Sequence, residues 1–592
     1  MKELEYPFDS DYILSKKKKI KRELLSQDTK FIEKRIAVLG GSTTNDVVAL
    51  LDLFLLNSGI KAEFYESEYN KYYEDAMFDN PELVEFRPDV IYIHTSSVNI
   101  KDYPTVRDSA ETVEDKLLRT YGEFEGIWEH LHEKYGCPVI QNNMEYPNVR
   151  LLGNSDCVNI HGRVNFINRL NAKFAEYAAS HDNFYIHDIN YLAARIGLDT
   201  FFDPFYWYMY KYAVAVPTVP EFSYNLSHII KAIYGKNKKA FVLDLDNTLW
   251  GGVVGDDGPE NLVIGQETAE GEAFLAFQEY LKAHKDIGVL LNVSSKNEEE
   301  NALAGLNHVE GALKPDDFTV IKANWEPKSS NVETIAAELS LGADSFVFVD
   351  DNPAEREIVE ANIKGIAVPT VSTSDKYMRE IDRHGYFEVL KISGDDLARN
   401  EMYKANVKRA ETLKTFTNYG DYLKSLEMKA VIKPFEPMYM ARIAQLTNKS
   451  NQFNLTTRRY SQGEIEQAAK ERLTFYGKLE DKFGDNGVVT VAIGRAEGTV
   501  CHMELWLMSC RVLKRDMELA LLDNIVHTCL DHGIKEIRGY YYPTAKNAMV
   551  KEFYKELGFE KVKEDAEGNT EWKLDISGGY EDKNKYIEVI NA

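Results

Sequence analysis

Short apolar runs alternate with amphipathic segments over residues 31–190. The strand-like runs are KRIAVLGGS, PDVIYIHTSSVN, CPVIQNN and NFYIHDIN, and each ends in or near glycine or polar residues. Helical periodicity fills the intervals, most clearly in NDVVALLDLFLLNSG, near Ala110–Tyr135 and near Gly162–Ala179. Strands that alternate with helices in this way predict an α/β domain with a parallel sheet.

The same alternation returns over residues 240–370. The strand-like runs there are AFVLDL, IGVLLNV, FTVI and SFVFVD, and the helical ones AEGEAFLAFQEYLKAH and NVETIAAELSLGA. A charged helical stretch from about residue 395 leads into a last segment that ends in AMVKEFYKELGFEKV, a helix followed by a strand. With the polar linker YGKNKK at 234–239, this pattern predicts three domains, 1–235, 236–394 and 395–592.

One aromatic run, FFDPFYWYMYKYAVAVP at 201–217, falls outside the alternation. Runs of this kind lie more often in a core or an interdomain contact than on a binding surface, so we expect burial here.

Composition limits the function classes. The 592 residues carry a formal net charge of -25, which disfavours nucleic-acid binding because that binding depends on Lys and Arg at phosphates. Five cysteines without a CxxC pair indicate neither a zinc site nor a disulfide framework, and they suit a reducing cytosol. No window reaches about 18 uninterrupted apolar residues, and the N-terminus lacks an apolar signal core. We therefore expect a soluble cytoplasmic protein that neither spans a membrane nor binds nucleic acid.

Polar groups follow each strand of the middle domain. Asp244 and Asp246 come after the first strand and Ser295 after the second. Lys328 lies beyond the third, and the pair Asp350 and Asp351 follows the fourth. Because ligands of doubly wound parallel sheets bind beyond the carboxyl ends of the strands, these groups predict one site.

The residue types of this site suit phosphoryl chemistry. A carboxylate that attacks a phosphate needs charge screening, which Mg²⁺ held by oxygen ligands supplies, and Asp350 and Asp351 add carboxylates for it. Lys328 offers a fixed positive charge, and the Ser295 hydroxyl can hold a phosphate oxygen. Asp246 is placed to protonate the leaving oxygen and then to activate an acceptor.

Four motifs in order resemble the haloacid dehalogenase (HAD) superfamily: DLDNT, NVSSK, EPKS and VDDNPAE. The resemblance implies that Asp244 is the nucleophile, Asp246 the acid/base and Thr248 a further phosphate ligand. It also implies Mg²⁺ on Asp244, the Asp246 carbonyl, and either Asp350 or Asp351. The segments 249–294 and 296–327 are too short for a lid domain, so we expect a HAD-like Rossmannoid fold without a large cap, open enough for a macromolecular partner.

Longer stretches are similar to FkbH-like proteins of HAD subfamily IIIC. They are LDLDNTLWGGVVGDDG, SSKNE, NWEPKSSN, FVFVDDNPAERE, TNKSNQFNLTTRRYS, DKFGDNGVV and LWLMSCRVLKRDME. The resemblance implies dephosphorylation of the acyl phosphate 1,3-bisphosphoglycerate and transfer of its glyceryl group to an acyl carrier protein with a phosphopantetheine arm. Two alternatives stay open: a plain phosphatase whose outer domains select the substrate, and a non-catalytic scaffold that binds a carrier protein.

The first domain resembles SGNH-type hydrolases at GGST, which places Ser42 where their serine lies and leaves Asn99 or Asn142 as oxyanion donors. The match fails at HDINY, which has Tyr191 where those enzymes have histidine, so a scaffold or docking role is the stronger expectation.

The last domain resembles the GNAT acyltransferase fold, an α+β class, in NAMVKEFYKELGFE. Its segment CRVLKRDME has Lys514 and Asp516 where a pyrophosphate-binding turn uses glycine, which disfavours ordinary acetyl-CoA binding. Arg511 and Arg515 could instead meet the phosphate of a carrier arm. Cys510 is a candidate acyl relay because a helix start and Arg511 lower a thiol pKa; a buried core cysteine is the alternative.

Overall fold

The computed structural model describes residues 1–27, 29, 31–450, 452–544 and 546–590, apart from the side chains of Lys449 and Cys510. The chain divides into two compact units, one of Met1–Tyr234 with Tyr460–Gln467 and one of Gly235–Arg459 with Ala468–Ala592. None of the helices in the described part of the chain is long and apolar enough to cross a membrane. The two boundaries between the three predicted domains, after residues 235 and 394, stay a prediction.

A five-stranded parallel sheet with the order β2-β1-β3-β4-β5 organises the first unit. The strands are β1 (Ile32–Gly40), β2 (Ile60–Glu66), β3 (Val90–His94), β4 (Val139–Asn142) and β5 (Phe184–His187). The helices are α1 (Ser10–Leu25), α2 (Asn45–Asn57), α3 (Tyr72–Met77), α4 (Pro81–Phe86), α5 (Ala110–Tyr135), α6 (Arg163–Ser180), α7 (Ile189–Ile196), α8 (Leu198–Phe201), α9 (Pro204–Tyr210) and α10 (Val219–Ile233). The α/β domain predicted from the apolar alternation is confirmed.

The aromatic run at 201–217 is divided between core and surface. Phe201 and Ala213–Ala215 are buried, as expected. In α9, however, Phe205, Tyr208 and Tyr210 are exposed by 57%, 73% and 52%, so the prediction of burial is wrong for this short helix. Asp203 caps it, and Lys211 ends it in the left-handed conformation, which leaves a seven-residue helix that buries no side chain.

Two neutral histidines lie in the core of the first unit, at the ends of β3 and β5. His94 Nδ1 lies 2.9 Å from the Tyr92 hydroxyl, and His187 Nδ1 lies 3.0 Å from Asn142 Oδ1. Burial lowers the pKa of His94 to about 4, and burial together with His94 lowers the pKa of His187 to about 3. Each imidazole is therefore held uncharged in the fold over a pH range in which the unfolded chain takes up a proton.

We expect His94→Gln to reduce the loss of stability on acidification. A histidine whose folded pKa is depressed contributes stability that is present above the unfolded pKa of about 6.5 and is lost as the pH falls below it. Between pH 6.5 and 5, the free energy of unfolding should fall by about 2 kcal/mol less in this variant than in the wild type. Urea unfolding at both pH values measures this, with the exposed His132→Gln as control; equal pH slopes in wild type and His94→Gln would contradict the prediction.

The second unit holds a four-stranded parallel sheet with the order β8-β7-β6-β9. The strands are β6 (Ala240–Leu243), β7 (Leu290–Ser295), β8 (Val320–Ala323) and β9 (Phe346–Val349), and the helices are α11 (Val254–Asp257), α12 (Ala269–Asp286), α13 (Glu299–Leu306), α14 (Lys328–Glu338), α15 (Pro353–Asn362) and α16 (Tyr377–Asp382). Between β6 and β8 the connections, described without a gap, hold only a hairpin closed by Gly251 and Val263, short turns and the helices α11–α13. The predicted HAD-like fold without a large cap is confirmed.

The same unit also holds an eight-stranded mixed sheet with the order β15-β16-β14-β13-β12-β11-β10-β17. The strands are β10 (Lys429–Lys433), β11 (Leu473–Asp481), β12 (Gly484–Glu497), β13 (Val500–Met508), β14 (Glu536–Tyr541), β15 (Glu560–Glu564), β16 (Thr570–Asp575) and β17 (Glu588–Val589). The helices are α17 (Gly394–Leu397), α18 (Arg399–Leu413), α19 (Tyr419–Ser425), α20 (Met440–Lys449), α22 (Met517–Asp531) and α23 (Phe553–Glu556), together with α21 (Gln462–Glu471), which begins in the segment Tyr460–Gln467 of the first unit.

The topology of this sheet is that of the predicted GNAT-like α+β fold. An antiparallel series, β10 to β13, is followed by α22 and by β14, which pairs parallel with β13 only over Val500–His502. The helix predicted over AMVKEFYKELGFE is shorter than expected, because the segment forms a 3-10 turn at Ala548–Val550 and then the four residues of α23. The fold class is confirmed, and only the length of this helix is wrong.

Candidate functional site

The carboxyl edge of the four-stranded sheet brings the predicted polar groups together. Asp244 follows β6, an inner strand, and its backbone N–H donates to Val349 O of the neighbouring β9 at 3.0 Å. Asp350 and Asp351 directly follow β9. Lys328 opens α14, the helix that comes after β8. Because the strands are parallel and adjacent, residues far apart in sequence reach one edge.

Lys328 joins two of the carboxylates. Its Nζ lies 2.9 Å from Asp244 Oδ2 and 2.5 Å from Asp350 Oδ2, and its side chain is only 4% exposed. Asp350 is fully buried and also accepts a hydrogen bond from the Asn352 backbone N–H at 2.9 Å. The ammonium is therefore a fixed positive charge between the two carboxylates.

Burial dominates the protonation equilibria of this cluster. Loss of solvation raises the pKa of Asp244 to about 6; Lys328 opposes the shift and Asp350 adds to it. Burial likewise raises the pKa of Asp350 and of Asp351 above the usual aspartate range. Burial disfavours the charged form of Lys328, but attraction to Asp244 and Asp350 outweighs it and raises the lysine pKa. Extra positive charge at this edge would favour the ionised carboxylates.

The three carboxylates fit a divalent cation. Asp244, Asp350 and Asp351 each offer an oxygen, and these oxygens lie within 4.8 Å of one another. Three carboxylates against one ammonium leave an excess of negative charge, and an all-oxygen donor set is the kind that Mg²⁺ prefers. The set contains both members of the Asp350–Asp351 pair, so the choice of direct ligand between them stays open, as does the predicted role of the Asp246 carbonyl.

Two residues hold the backbone around Asp351: Thr248, which belongs to the first motif, and Arg356. The Asp351 backbone N–H donates to Thr248 Oγ1 at 3.2 Å, which ties the first and fourth motifs together. Arg356, on α15, donates to the backbone carbonyl oxygens of Asp350 and Asp351 at 2.5 and 2.8 Å. The site residues predicted from the sequence do not include Arg356, although it belongs to the stretch FVFVDDNPAERE that carries the FkbH-like resemblance.

Asp246 lies at the same edge with three hydrogen-bond donors. Its Oδ1 accepts from Trp250 Nε1 and from the Val254 backbone N–H, each at 3.0 Å, and its Oδ2 accepts from Asn297 Nδ2 at 2.8 Å. Asn297 also lies 3.3 Å from Ser295 Oγ, so it connects the first and second motifs. Sequence reasoning missed Trp250 and Asn297, although both belong to stretches that carry the FkbH-like resemblance.

The two arginines predicted to bind a carrier phosphate lie inside the protein. Arg515 is 5% exposed and donates to Asp481 Oδ2 at 2.9 Å and to Asn406 Oδ1 at 2.7 Å. Arg511 is 7% exposed and lies 3.5 Å from Asp395 Oδ2. The structure thus gives both guanidinium groups internal partners, which differs from the predicted role, because a carrier phosphate would have to displace them.

In the turn before α22, two residues other than glycine adopt the left-handed backbone conformation that glycine favours. Lys514 and Asp516 both have φ = 61°, in the left-handed region that costs energy for residues other than glycine. The Tyr419 hydroxyl donates to the Lys514 carbonyl, so part of this turn is used internally. Cys510 is the other prediction for this turn, and its side chain lies outside the described part of the chain.

A segment of the chain itself fills the opening between β13 and β14. Residues 453–456 are buried; Leu455 N–H donates to Trp506 O of β13 at 3.1 Å, and Tyr542 N–H, just after β14, donates to Leu455 O at 2.9 Å. The segment therefore bridges the two strands where they no longer pair with each other. The expectation against ordinary acetyl-CoA binding stays a prediction.

The candidate residues of the first unit do not form a catalytic group among the described residues. Ser42 is 2% exposed, and its Oγ has no hydrogen-bond partner within the described ranges. Asn99 donates to the Gly41 carbonyl at 2.7 Å, and Asn142 belongs to the buried histidine network. Tyr191 is 64% exposed. The contacts of the described residues therefore supply no base for Ser42, and the expected scaffold or docking role stays a prediction.

A family model and a solved crystal structure both match this chain. Residues 35–231 match the family model described as FkbH, N-terminal domain. A crystal structure of the N-terminal part of protein BF1531 from Bacteroides fragilis, which contains a phosphatase domain complexed with Mg, is 29% identical and has a TM-score of 0.58. The match covers 63% of this chain and 99% of that one. No curated protein matches.

Two acetyltransferases are similar at lower TM-scores. The ribosomal-protein-S18-alanine N-acetyltransferase from Escherichia coli is 15% identical over 26% of this chain and 99% of its own, at 0.20. The PaiA N-acetyltransferase from Thermoplasma acidophilum, in complex with coenzyme A, is 14% identical over 25% of this chain and 99% of its own, at 0.19. They add nothing to the topology described above.

The predictions of a phosphatase-type enzyme and of Mg²⁺ as its cofactor agree with the Bacteroides fragilis structure, which contains both. Together with the match of residues 35–231, this structure confirms that the chain resembles the FkbH-like proteins.

Proposed function

We propose that this chain is a Mg²⁺-dependent phosphatase and acyltransferase that acts on a small phosphorylated acyl substrate and passes the acyl group to a carrier-protein thiol. The observation that carries the phosphatase part is the cluster of Asp244, Asp350 and Asp351 around the buried Lys328. The acyl transfer rests on the resemblance to FkbH-like proteins and on the GNAT-like topology of the last domain.

Asp244, Asp350 and Asp351 would hold Mg²⁺, which would screen the negative charge of the substrate phosphate. Asp244 attacks the phosphorus atom through a carboxylate oxygen, and the bond from phosphorus to the leaving oxygen breaks. Lys328 stabilises the charge that spreads over the phosphoryl oxygens, and Thr248 and Ser295 offer hydroxyl hydrogen bonds to them. Asp246 gives its proton to the leaving oxygen and then takes one from the water that releases phosphate from Asp244.

Transfer of the acyl group requires cleavage of a different bond from the phosphorus–oxygen bond that breaks when Asp244 attacks. Attack of Asp244 on an acyl phosphate at phosphorus would release a free carboxylate, which cannot form a thioester without new activation. In the transfer step a thiolate attacks the carbonyl carbon, the carbon–oxygen bond breaks, and phosphate leaves with the bonding electrons. A substrate with both an acyl phosphate and a phosphate ester, such as 1,3-bisphosphoglycerate, would therefore serve both chemistries, and Cys510 is the proposed thiol.

A plain phosphatase is the second candidate. Two observations favour it. Arg511 and Arg515 already have internal carboxylate partners, and residues 453–456 fill the opening between β13 and β14, so these parts of the last domain are used inside the protein. In that case the last domain would only select the substrate.

We expect Mg²⁺-dependent phosphate release and a glyceryl adduct when the protein meets 1,3-bisphosphoglycerate generated in situ. Intact-protein mass spectrometry detects the adduct, and a phosphate assay with and without EDTA tests the metal. Cys510→Ala should abolish the adduct and retain release of phosphate from 3-phosphoglycerate, while the exposed Cys157→Ala, the matched control, should change neither. Phosphate release without any adduct would support the plain phosphatase, and an adduct that survives Cys510→Ala would place the thioester elsewhere.

A further inference from the structure

Asp246 is held from two sides by parts of the chain that are far apart in sequence. Trp250 and Val254, on the segment after β6, both donate to Oδ1. Asn297, on the loop after β7, donates to Oδ2 at 2.8 Å. The carboxylate therefore cannot rotate freely, because donors from two loops form hydrogen bonds to its two different oxygens.

The two oxygens are not equivalent. Among the described residues, Oδ1 accepts two hydrogen bonds and Oδ2 accepts one. A carboxylate oxygen has about two lone-pair sites. Oδ2 is thus the oxygen with an open position for a substrate atom. Asn297 sets where that position points, since its own amide is 4% exposed and is fixed by a second contact to Ser295 Oγ.

We propose that Asn297 is a positioning residue for proton transfer, which orients Oδ2 of Asp246 toward the leaving-group oxygen of a phosphate ester. This inference rests on the proposed phosphatase function and specifies the atom that carries the proton. In the step concerned, the phosphorus–oxygen bond breaks, and the departing oxygen takes the proton from Asp246 Oδ2 as Asp244 gains the phosphoryl group.

The effect of losing Asn297 on the rate should depend on the leaving group of the phosphate ester. An alkyl phosphate leaves as a strongly basic alkoxide and needs the proton in the transition state, whereas the nitrophenolate of p-nitrophenyl phosphate is stable without it. A residue that only supports the fold would affect both esters alike. A residue that orients the proton donor affects the alkyl ester selectively.

The test compares 3-phosphoglycerate and p-nitrophenyl phosphate as substrates in the presence of Mg²⁺. We expect Asn297→Ala to lower kcat/KM by about 10–100-fold on 3-phosphoglycerate and by less than about 3-fold on p-nitrophenyl phosphate. Asn297→Leu, which has a similar size but no donor and no charge, should show the same selectivity. Asn307→Ala, an exposed asparagine at the end of α13 whose amide bonds Leu303 O, is the matched control and should change neither rate.

A double variant separates positioning from other roles. In an Asp246→Asn background the proton donor is gone, so adding Asn297→Ala should cause no further loss on 3-phosphoglycerate. Equal losses on both esters, or an additive loss in the double variant, would overturn the assignment of Asn297. Phosphate release that survives Asp244→Asn would instead overturn the proposed function, so the two failures are distinguishable.

Discussion

Replacement of Asp244 by Asn is expected to lower phosphate release from 3-phosphoglycerate by at least about 10³-fold. The amide cannot act as the nucleophile, and it removes one of the three carboxylates whose oxygens lie within 4.8 Å of one another. Both effects act on the same step, so this single change should have the largest effect on turnover of any in the chain. Phosphate release and KM for Mg²⁺, measured together, would separate loss of the nucleophile from weaker metal binding.

Asp256→Asn is a matched control for this experiment. It makes the same chemical change in the same connection between β6 and β7, but Asp256 is exposed on α11. Its rate should stay within about 2-fold of the wild type, because exposed substitutions away from a site have small effects. If Asp244→Asn kept a tenth or more of the activity, the carboxyl edge of the four-stranded sheet would not be the phosphatase site.

The site at this edge could be predicted because its signals are local. Each strand of the middle domain is a short apolar run, and each is followed within a few residues by the groups that matter: Asp244, Ser295 and Asp350. Parallel strands place their carboxyl ends on one edge. The position of a residue directly after a strand is therefore enough to predict that it lies close to the residues that follow the other strands. The observed strands Ala240–Leu243 and Phe346–Val349 fall within the predicted runs AFVLDL and SFVFVD.

The contacts that fix the site could not be predicted in this way. Asn297 meets Asp246 across 51 positions, and Arg356 reaches the carbonyl oxygens of Asp350 and Asp351 from the first turn of α15. Neither residue type is distinctive, and neither contact leaves a period in the sequence. Such contacts follow from tertiary packing, which a single sequence does not specify residue by residue.

In the last domain, the partners of the charged residues likewise could not be predicted from the sequence. A pair of arginines near a helix start suggested an anion site, but their partners Asp395 and Asp481 lie 116 and 34 residues away. Buried arginines need such partners, because an unpaired buried charge is costly. Composition shows that carboxylates are abundant, with 95 Asp and Glu residues, yet it does not say which of them is folded against a given arginine.

Lys328→Met is expected to destabilise the second unit and to make its stability depend more strongly on Mg²⁺. The Lys328 ammonium lies 2.9 Å from Asp244 Oδ2 and 2.5 Å from Asp350 Oδ2, so its removal leaves buried carboxylates without their cation. Breaking a buried ion pair from one side costs about 3–5 kcal/mol. Phosphate release should also fall by about 10² to 10³-fold, because a fixed positive charge at the phosphoryl group is lost.

Thermal unfolding with EDTA and with saturating Mg²⁺ measures this effect. Mg²⁺ should raise the Tm of Lys328→Met more than that of the wild type, because in the variant the metal is the remaining counter-charge for the buried Asp244 and Asp350. Lys322→Met is the matched control: its ammonium pairs with the partly exposed Glu338 at 2.7 Å, and a surface pair contributes about 0–1 kcal/mol. An equal Tm loss in both variants, or a Mg²⁺ response in Lys328→Met no larger than in the wild type, would show that Lys328 and the metal do not balance the same carboxylates.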